Sequence, residues 1–208
     1  MSIATRLPMF PLSTVIFPGA EIPLHVFEPR YQALVNDVLG GDATFGTVLI
    51  SAGSEVGGGD RRVHLGTRLV VTGSVPFPDG RWILQVRSVE RIEVSEWLAD
   101  APYPQAMVLP APTPVTCDLR EPLSAAKAVV RRLRMLLAEL DDGPGCSIEV
   151  ELCDDVEEAA WTICALAPLG LSDAQLLLEE SDPLRRIHRL NELCTLKIKD
   201  LEMVLQQR

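Results

Sequence analysis

The chain has 208 residues, 47% of them hydrophobic, and a formal net charge of −10. That length fits one large domain or two small ones, with enough apolar side chains to bury a sizeable core. So negative a chain is not drawn to nucleic acid or to anionic membrane surfaces, and no apolar run approaches the ~18 residues of a membrane span.

The first half reads as strands around one helix. Residues 7–12 are apolar with two prolines, the pattern of an edge strand or of a strand's first residues. Pro18-Gly19 marks a turn, and residues 22–26 form a second short extended piece. The period then changes. Tyr31, Leu34, Val35 and Val38 share one helical face, Pro29 suits the first turn, and Gly40-Gly41 stops the helix. Residues 45–51 read as a buried strand, and the glycine-rich stretch 51–60 as a loop. Residues 63–76 and 81–95 are long strand-like segments joined by Asp79-Gly80, a strong hairpin signal. A short strand at 105–109 precedes a stiff connector carrying Pro110, Pro112 and Pro114.

The second half reads as helices. Apolar residues at 126, 129, 130, 133, 136, 137 and 140 make one face of a helix over 123–140, which Asp141-Asp142-Gly143-Pro144 ends. A second helix spans 154–167 with Asp155 as its N-cap. Ser172 and Gln175 have the spacing of a capping box for a third. Asp182 caps a fourth, with Pro183 at its first position. Its stripe of Leu184, Ile187, Leu190, Cys194, Ile198, Leu201 and Leu205 needs a partner, either the other helices or a second copy of the chain. Homo-oligomerisation through this last helix is therefore an open alternative.

Little in the sequence supports catalysis. The five cysteines, at 117, 146, 153, 164 and 194, are odd in number and contain no CxxC pair. They read as reduced thiols, with neither a disulfide framework nor a structural zinc site. No Gly-Lys dipeptide exists for a phosphate-binding loop and no GxSxG for a nucleophile elbow. His25 stands three residues before Glu28. It reads either as a structural histidine bonded to backbone or as the centre of an unrecognised hydrolytic site. His64 and His188 read as isolated surface residues, and Arg131, Arg132 and Arg134 as the solvated face of a helix. No cofactor or metal is expected. The N-terminus has no charged stretch followed by an apolar one, so no secretory leader is expected, and the location expected is cytoplasmic.

The aromatics in turns carry more information. Phe17 and Phe77 lie in Ile-Phe-Pro and Pro-Phe-Pro contexts, and Trp97 and Tyr103 flank another irregular stretch. Such side chains either fold back as plugs or form a contact patch for apolar peptides.

The string LPMFPLSTVIFPGAEIPLHVFEPRYQALV, residues 7–35, resembles the LON substrate-binding domain family, the N-terminal domains of ATP-dependent Lon proteases. The likeness continues through FGTVLI at 45–50, HLGTRLVV at 64–71, PDGRWILQVRSVERIEV at 78–94 and APYPQAMV at 101–108. Residues 182–207 are similar to the family's long terminal helix. The resemblance implies an α+β fold, with a β-rich pseudo-barrel and one helix over residues 1–114, then a helical bundle ending in a long helix over 115–208. It also implies a domain that recognises polypeptide segments or a protein partner; with no Gly-Lys dipeptide for an ATPase loop and no protease module, a stand-alone, non-catalytic member is expected.

Overall fold

The computed structural model describes residues 3–53, 59–114, 118–140 and 148–206. Cys117, Cys146 and the expected helix stop at 141–144 lie outside the described residues. The chain divides into two units, Met1–Pro112 and Thr113–Arg208.

The first unit contains β1 (Thr5–Pro8), β2 (Glu21–Val26), α1 (Pro29–Leu39), β3 (Thr44–Ala52), β4 (Arg61–Pro76), β5 (Trp82–Trp97) and β6 (Gln105–Pro110). The strands make one antiparallel sheet in the order β1-β6-β5-β4-β3, with β2 paired to β5 off that path. The two ends of the path meet. Residues 9–12, which continue β1, bridge to β3 through Met9 with Gly46 and Leu12 with Leu49. The Phe10 amide donates to the Gly46 carbonyl at 2.7 Å, and Ile50 N–H donates to Leu12 O at 2.8 Å. Closure of this kind satisfies two sheet edges at once, and it gives the β-rich pseudo-barrel that the sequence implies.

β5 is shared along its length. Its first half lies between β2 and β4, and its second half between β6 and β4. Two clusters fill the interior. One surrounds α1, where Tyr31, Leu34, Val35 and Val38 pack with Phe10, Leu24, Val26, Phe45, Leu69 and Leu84. Phe10 stacks on Tyr31 with ring centroids 4.0 Å apart. The other cluster gathers Leu7, Met9, Val48, Ile92, Val94 and Val108. The expected helix face at α1 is thus the face that is buried.

A register shift in the β4–β5 pairing leaves Val89 unpaired between Arg68↔Glu90 and Leu69↔Ser88. Ser88 beside it is buried, and its hydroxyl oxygen has no hydrogen-bond partner. An unmet buried hydroxyl costs on the order of 1 kcal/mol or more. Ser88→Ala is therefore expected to raise stability by about 1 kcal/mol. Urea unfolding checks this, and a lower midpoint in the variant would refute it.

The second unit contains α2 (Arg120–Leu140), α3 (Val156–Leu166), α4 (Leu171–Glu179) and α5 (Pro183–Leu205). Two caps form as expected. Asp155 accepts from the Glu158 amide at 2.8 Å, and Asp182 accepts from Leu184 and Arg185 amides at 2.9 and 3.0 Å. The capping box at Ser172 does not form. α4 starts two residues earlier than that spacing requires, with Gly170 as its N-cap, so Ser172 already lies inside the helix. Gln175 bonds forward to Glu179 at 2.9 Å instead of back toward a cap. Arg134 also departs from expectation. It is buried, and it donates to the Glu149 carbonyl at 3.3 Å. The long stripe of α5 buries Ile187, Leu190, Cys194 and Ile198 within this unit, where α5 packs with α2, α3 and α4.

Candidate functional site

In an antiparallel sheet, residues directly opposite one another project to the same face. The register places His25 of β2, Ile83 of β5 and Val75 of β4 in one such row. The next row is set by the β4–β5 turn. Phe77 N–H donates to Arg81 O at 2.8 Å, so these two residues are opposed. Phe27 follows His25 by two residues and joins them on the same face. Together His25, Phe27, Phe77, Arg81 and Ile83, with Val26 and Trp82 between them, line a depression of about 370 Å³.

The turn is stiff. Gly80 has φ of +86°, a conformation that favours glycine, and its amide donates to Phe77 O at 3.0 Å. Asp79 accepts from the Arg81 amide at 3.2 Å and from Arg81 Nε at 2.7 Å. The Arg81 amide, with the guanidinium, holds the Asp79 carboxyl below the usual range. The Arg81 guanidinium lies 5.7 Å from the centre of the Phe77 ring, a cation–π arrangement. Gln32 of α1 donates to Phe27 O at 3.0 Å and anchors the other side. Phe27 is 55% exposed and Phe77 39%. Large apolar side chains held open on a rigid turn and an adjacent strand end form a ready contact patch.

The other candidate aromatics lie elsewhere. Phe17 and Tyr103 are only 4% and 6% exposed, so both fold inward as plugs. Tyr103 packs in the core cluster around α1, and its hydroxyl donates to Asp37 at 2.7 Å. Burial, with that carboxylate beside it, pushes the phenol up to about 12. Trp97 lies at the far end of β5 and is half-buried, with the Arg62 guanidinium 4.7 Å from its ring centre. Arg62 is itself tied to Asp60 at 2.7 Å and to Asp100 at 3.0 Å. Of the four aromatics, only Phe77 joins the depression. The sequence reading missed Phe27, Arg81 and Ile83. Counting residues from the Asp79-Gly80 turn in steps of two, the period of a strand face, would have found Arg81 and Ile83.

His25 lines the depression and is exposed, and among the described residues its ring makes no hydrogen bond to backbone. Glu28, three residues on, pairs with Arg30 at 3.1 Å, and among the described residues no hydrogen bond joins it to His25. The histidine that faces backbone is His64, whose Nδ1–H donates to Val94 O at 3.1 Å. Among the described residues, no three His, Cys, Asp or Glu side chains gather as a metal site. Cys153, Cys164 and Cys194 are free thiols, and burial pushes the latter two up to about 12 and about 11. No helix among the described residues is long and apolar enough to cross a membrane.

Residues 6–195 match the model of the ATP-dependent protease La (LON) substrate-binding domain. A Lon protease of Trichlorobacter lovleyi is 26% identical over 203 residues, covering 93% of this chain and 24% of the protease. Lon protease 1 of Myxococcus xanthus is 27% identical over 209 residues, covering 95% of this chain and 25% of its own length. The chain thus spans about a quarter of the length of these curated relatives. Among solved structures, a Lon N-terminal domain protein from Xanthomonas campestris superimposes with a TM-score of 0.67 at 29% identity, covering 89% of this chain and 96% of that one. The N-terminal domain of a Mycobacterium avium complex Lon protease has a TM-score of 0.66 at 15% identity, covering 92% and 98%, a likeness of fold alone.

Proposed function

Because the chain belongs to the ATP-dependent protease La (LON) substrate-binding domain family, we propose that it recognises apolar polypeptide segments through the Phe27–Arg81–Phe77 platform. One observation carries this reading: Phe27 and Phe77 are held open around a depression instead of folding into the core. We also propose that the chain is non-catalytic and works in the cytoplasm. Its contribution is recognition, with modest affinity and broad specificity, as expected of a shallow apolar surface.

The platform makes a direct prediction. An aromatic anchor buried on binding contributes about 2 kcal/mol or more. Phe77→Ala and Phe27→Ala should each weaken binding of a fluorescein-labelled, permanently unfolded polypeptide by roughly tenfold or more. Both should leave the melting temperature nearly unchanged, because little core area is lost. The opposite pattern, a loss of about 3 kcal/mol in stability with affinity intact, would make these side chains plugs and defeat the reading. The purified chain should likewise turn over neither ATP nor peptide. Turnover abolished by a substitution in this chain would refute the non-catalytic reading.

A second reading has an observation behind it. Leu196, Met203 and Val204 of α5 are exposed apolar residues on the helix whose self-association is the open alternative. Solution mass measured against concentration separates the two readings, since self-association alone leaves the platform variants without effect.

A further inference from the structure

We propose that the bound polypeptide adds as an extended strand to the open edge of β2, placing its alternate side chains beside the Phe27–Arg81–Phe77 platform; this rests on the platform reading above. The barrel closes the outer edges of β1 and β3. β2 is left out of that closure. It pairs with β5 on one side, and among the described residues no backbone bond leaves its other side.

The direction of its backbone groups follows from the register. Ser88 N–H donates to Ala20 O at 2.9 Å, so Ala20 faces β5. Antiparallel pairing alternates, so Ile22, Leu24 and Val26 also face β5, and Glu21, Pro23 and His25 face away. The open edge therefore offers the amides of Glu21 and His25 and the carbonyls of Glu21, Pro23 and His25. Pro23 has no amide, and its missing donor falls on the side where none is needed for β5. The edge ends at Phe27, whose carbonyl is already taken by Gln32.

These groups decide the class of occupant. The carbonyls repeat at every second residue, Glu21, Pro23 and His25, and the amides of Glu21 and His25 stand on either side of the gap at Pro23. A second extended backbone carries the complementary repeat, which makes strand addition the matching mode. An added strand lies about 4.8 Å from β2. Its outward side chains then continue the rows begun by His25–Ile83–Val75 and Phe27–Arg81–Phe77, so backbone and side-chain contacts are made by the same segment. The other free stretch, β4 beyond Thr72, is guarded. It carries a register shift between Val71 and Gly73, which β2 lacks, and two prolines, Pro76 and Pro78, against the one in β2, features that blunt an edge.

The test uses a short fluorescein-labelled peptide of alternating leucine and serine and two derivatives. Each derivative is N-methylated on one of the two alternating sets of amides. Methylating the set that faces β2 should weaken binding at least about tenfold, the effect of losing several backbone bonds. Methylating the other set should change it less than about twofold. Hydrogen exchange at the His25 amide should slow when the parent peptide is added. Equal binding by both derivatives, with Phe27→Ala and Phe77→Ala still weakening it, overturns strand addition and leaves the platform reading standing. Undiminished binding by the alanine variants defeats the platform reading. An unprotected His25 amide at saturating peptide excludes β2 as the edge used, and absence of any binding defeats both.

Discussion

Replacing Gly66 by alanine is expected to unfold the β-rich unit or to cost it roughly 4 kcal/mol or more, a size that point substitutions reach only through a specific clash or cavity. Gly66 lies in β4 between Val48 of β3 and Ile92 of β5. A methyl group there would overlap the carbonyl oxygen of Thr47 and come within 2.8 Å of Val48 Cγ1. The obstacle is backbone, not the end of a flexible side chain, so the strands themselves must part. β3 is also the strand that closes the barrel through residues 9–12. Opening its pairing with β4 disturbs both of its edges. Gly73 of the same strand serves as a control, because an added methyl there meets only Gln85 Cβ at 3.6 Å. Far-UV circular dichroism during thermal unfolding should show the β transition lost or strongly lowered in Gly66→Ala and little changed in Gly73→Ala. A Gly66→Ala variant melting with its parent would refute this account of the barrel.

The second large effect belongs to the helical unit. Arg186→Ala should destabilise it by about 3 kcal/mol or more. Arg186 is 1% exposed. Its guanidinium carbon lies over the Trp161 ring, 3.3 Å from the ring centre, and Nη1 donates to Glu180 O at 3.0 Å. Truncation would open a large cavity between α3 and α5 and leave the Glu180 carbonyl without that donor. For a unit of this size the melting temperature should fall by more than about 10 °C. Arg186→Lys should recover only part of the loss, because an ammonium does not stack face-on against an indole as a planar guanidinium does. Full stability in the lysine variant would show that charge, and not the guanidinium's contact with the indole, is what matters at this position.

Arg186 also illustrates where reading a sequence stops. In α5 it stands four residues before Leu190 and eight before Cys194, so helical spacing puts it on the buried face, while its charge reads as solvent-directed like that of its exposed neighbours His188 and Arg189. Only the position of Trp161, two helices away in the chain, makes it a core residue. Arg134 is similar. It belongs to a run of arginines that reads as a solvated face, and tertiary packing turned one member inward against Glu149. Long side chains with apolar stems are poor reporters of burial, because stem and head prefer opposite environments.

What the sequence determined by itself was local. The helix face at Tyr31, Leu34, Val35 and Val38, the caps at Asp155 and Asp182, and the turn at Asp79-Gly80 all follow from neighbours within a few residues. The motifs over residues 7–35 were also enough to indicate the family, and with it the pseudo-barrel and bundle. The tertiary structure alone decided which turn aromatics face out. Phe17 and Phe77 both stand next to proline in turns, yet Phe17 is a plug and Phe77 is open. The difference lies in cross-strand register: Phe77 is opposed to Arg81 on a sheet face that also holds Phe27 and Ile83. Register is a relation between segments far apart in the chain. A shift of one residue would turn every one of these side chains to the other face, so the platform exists only once β2, β4 and β5 have paired.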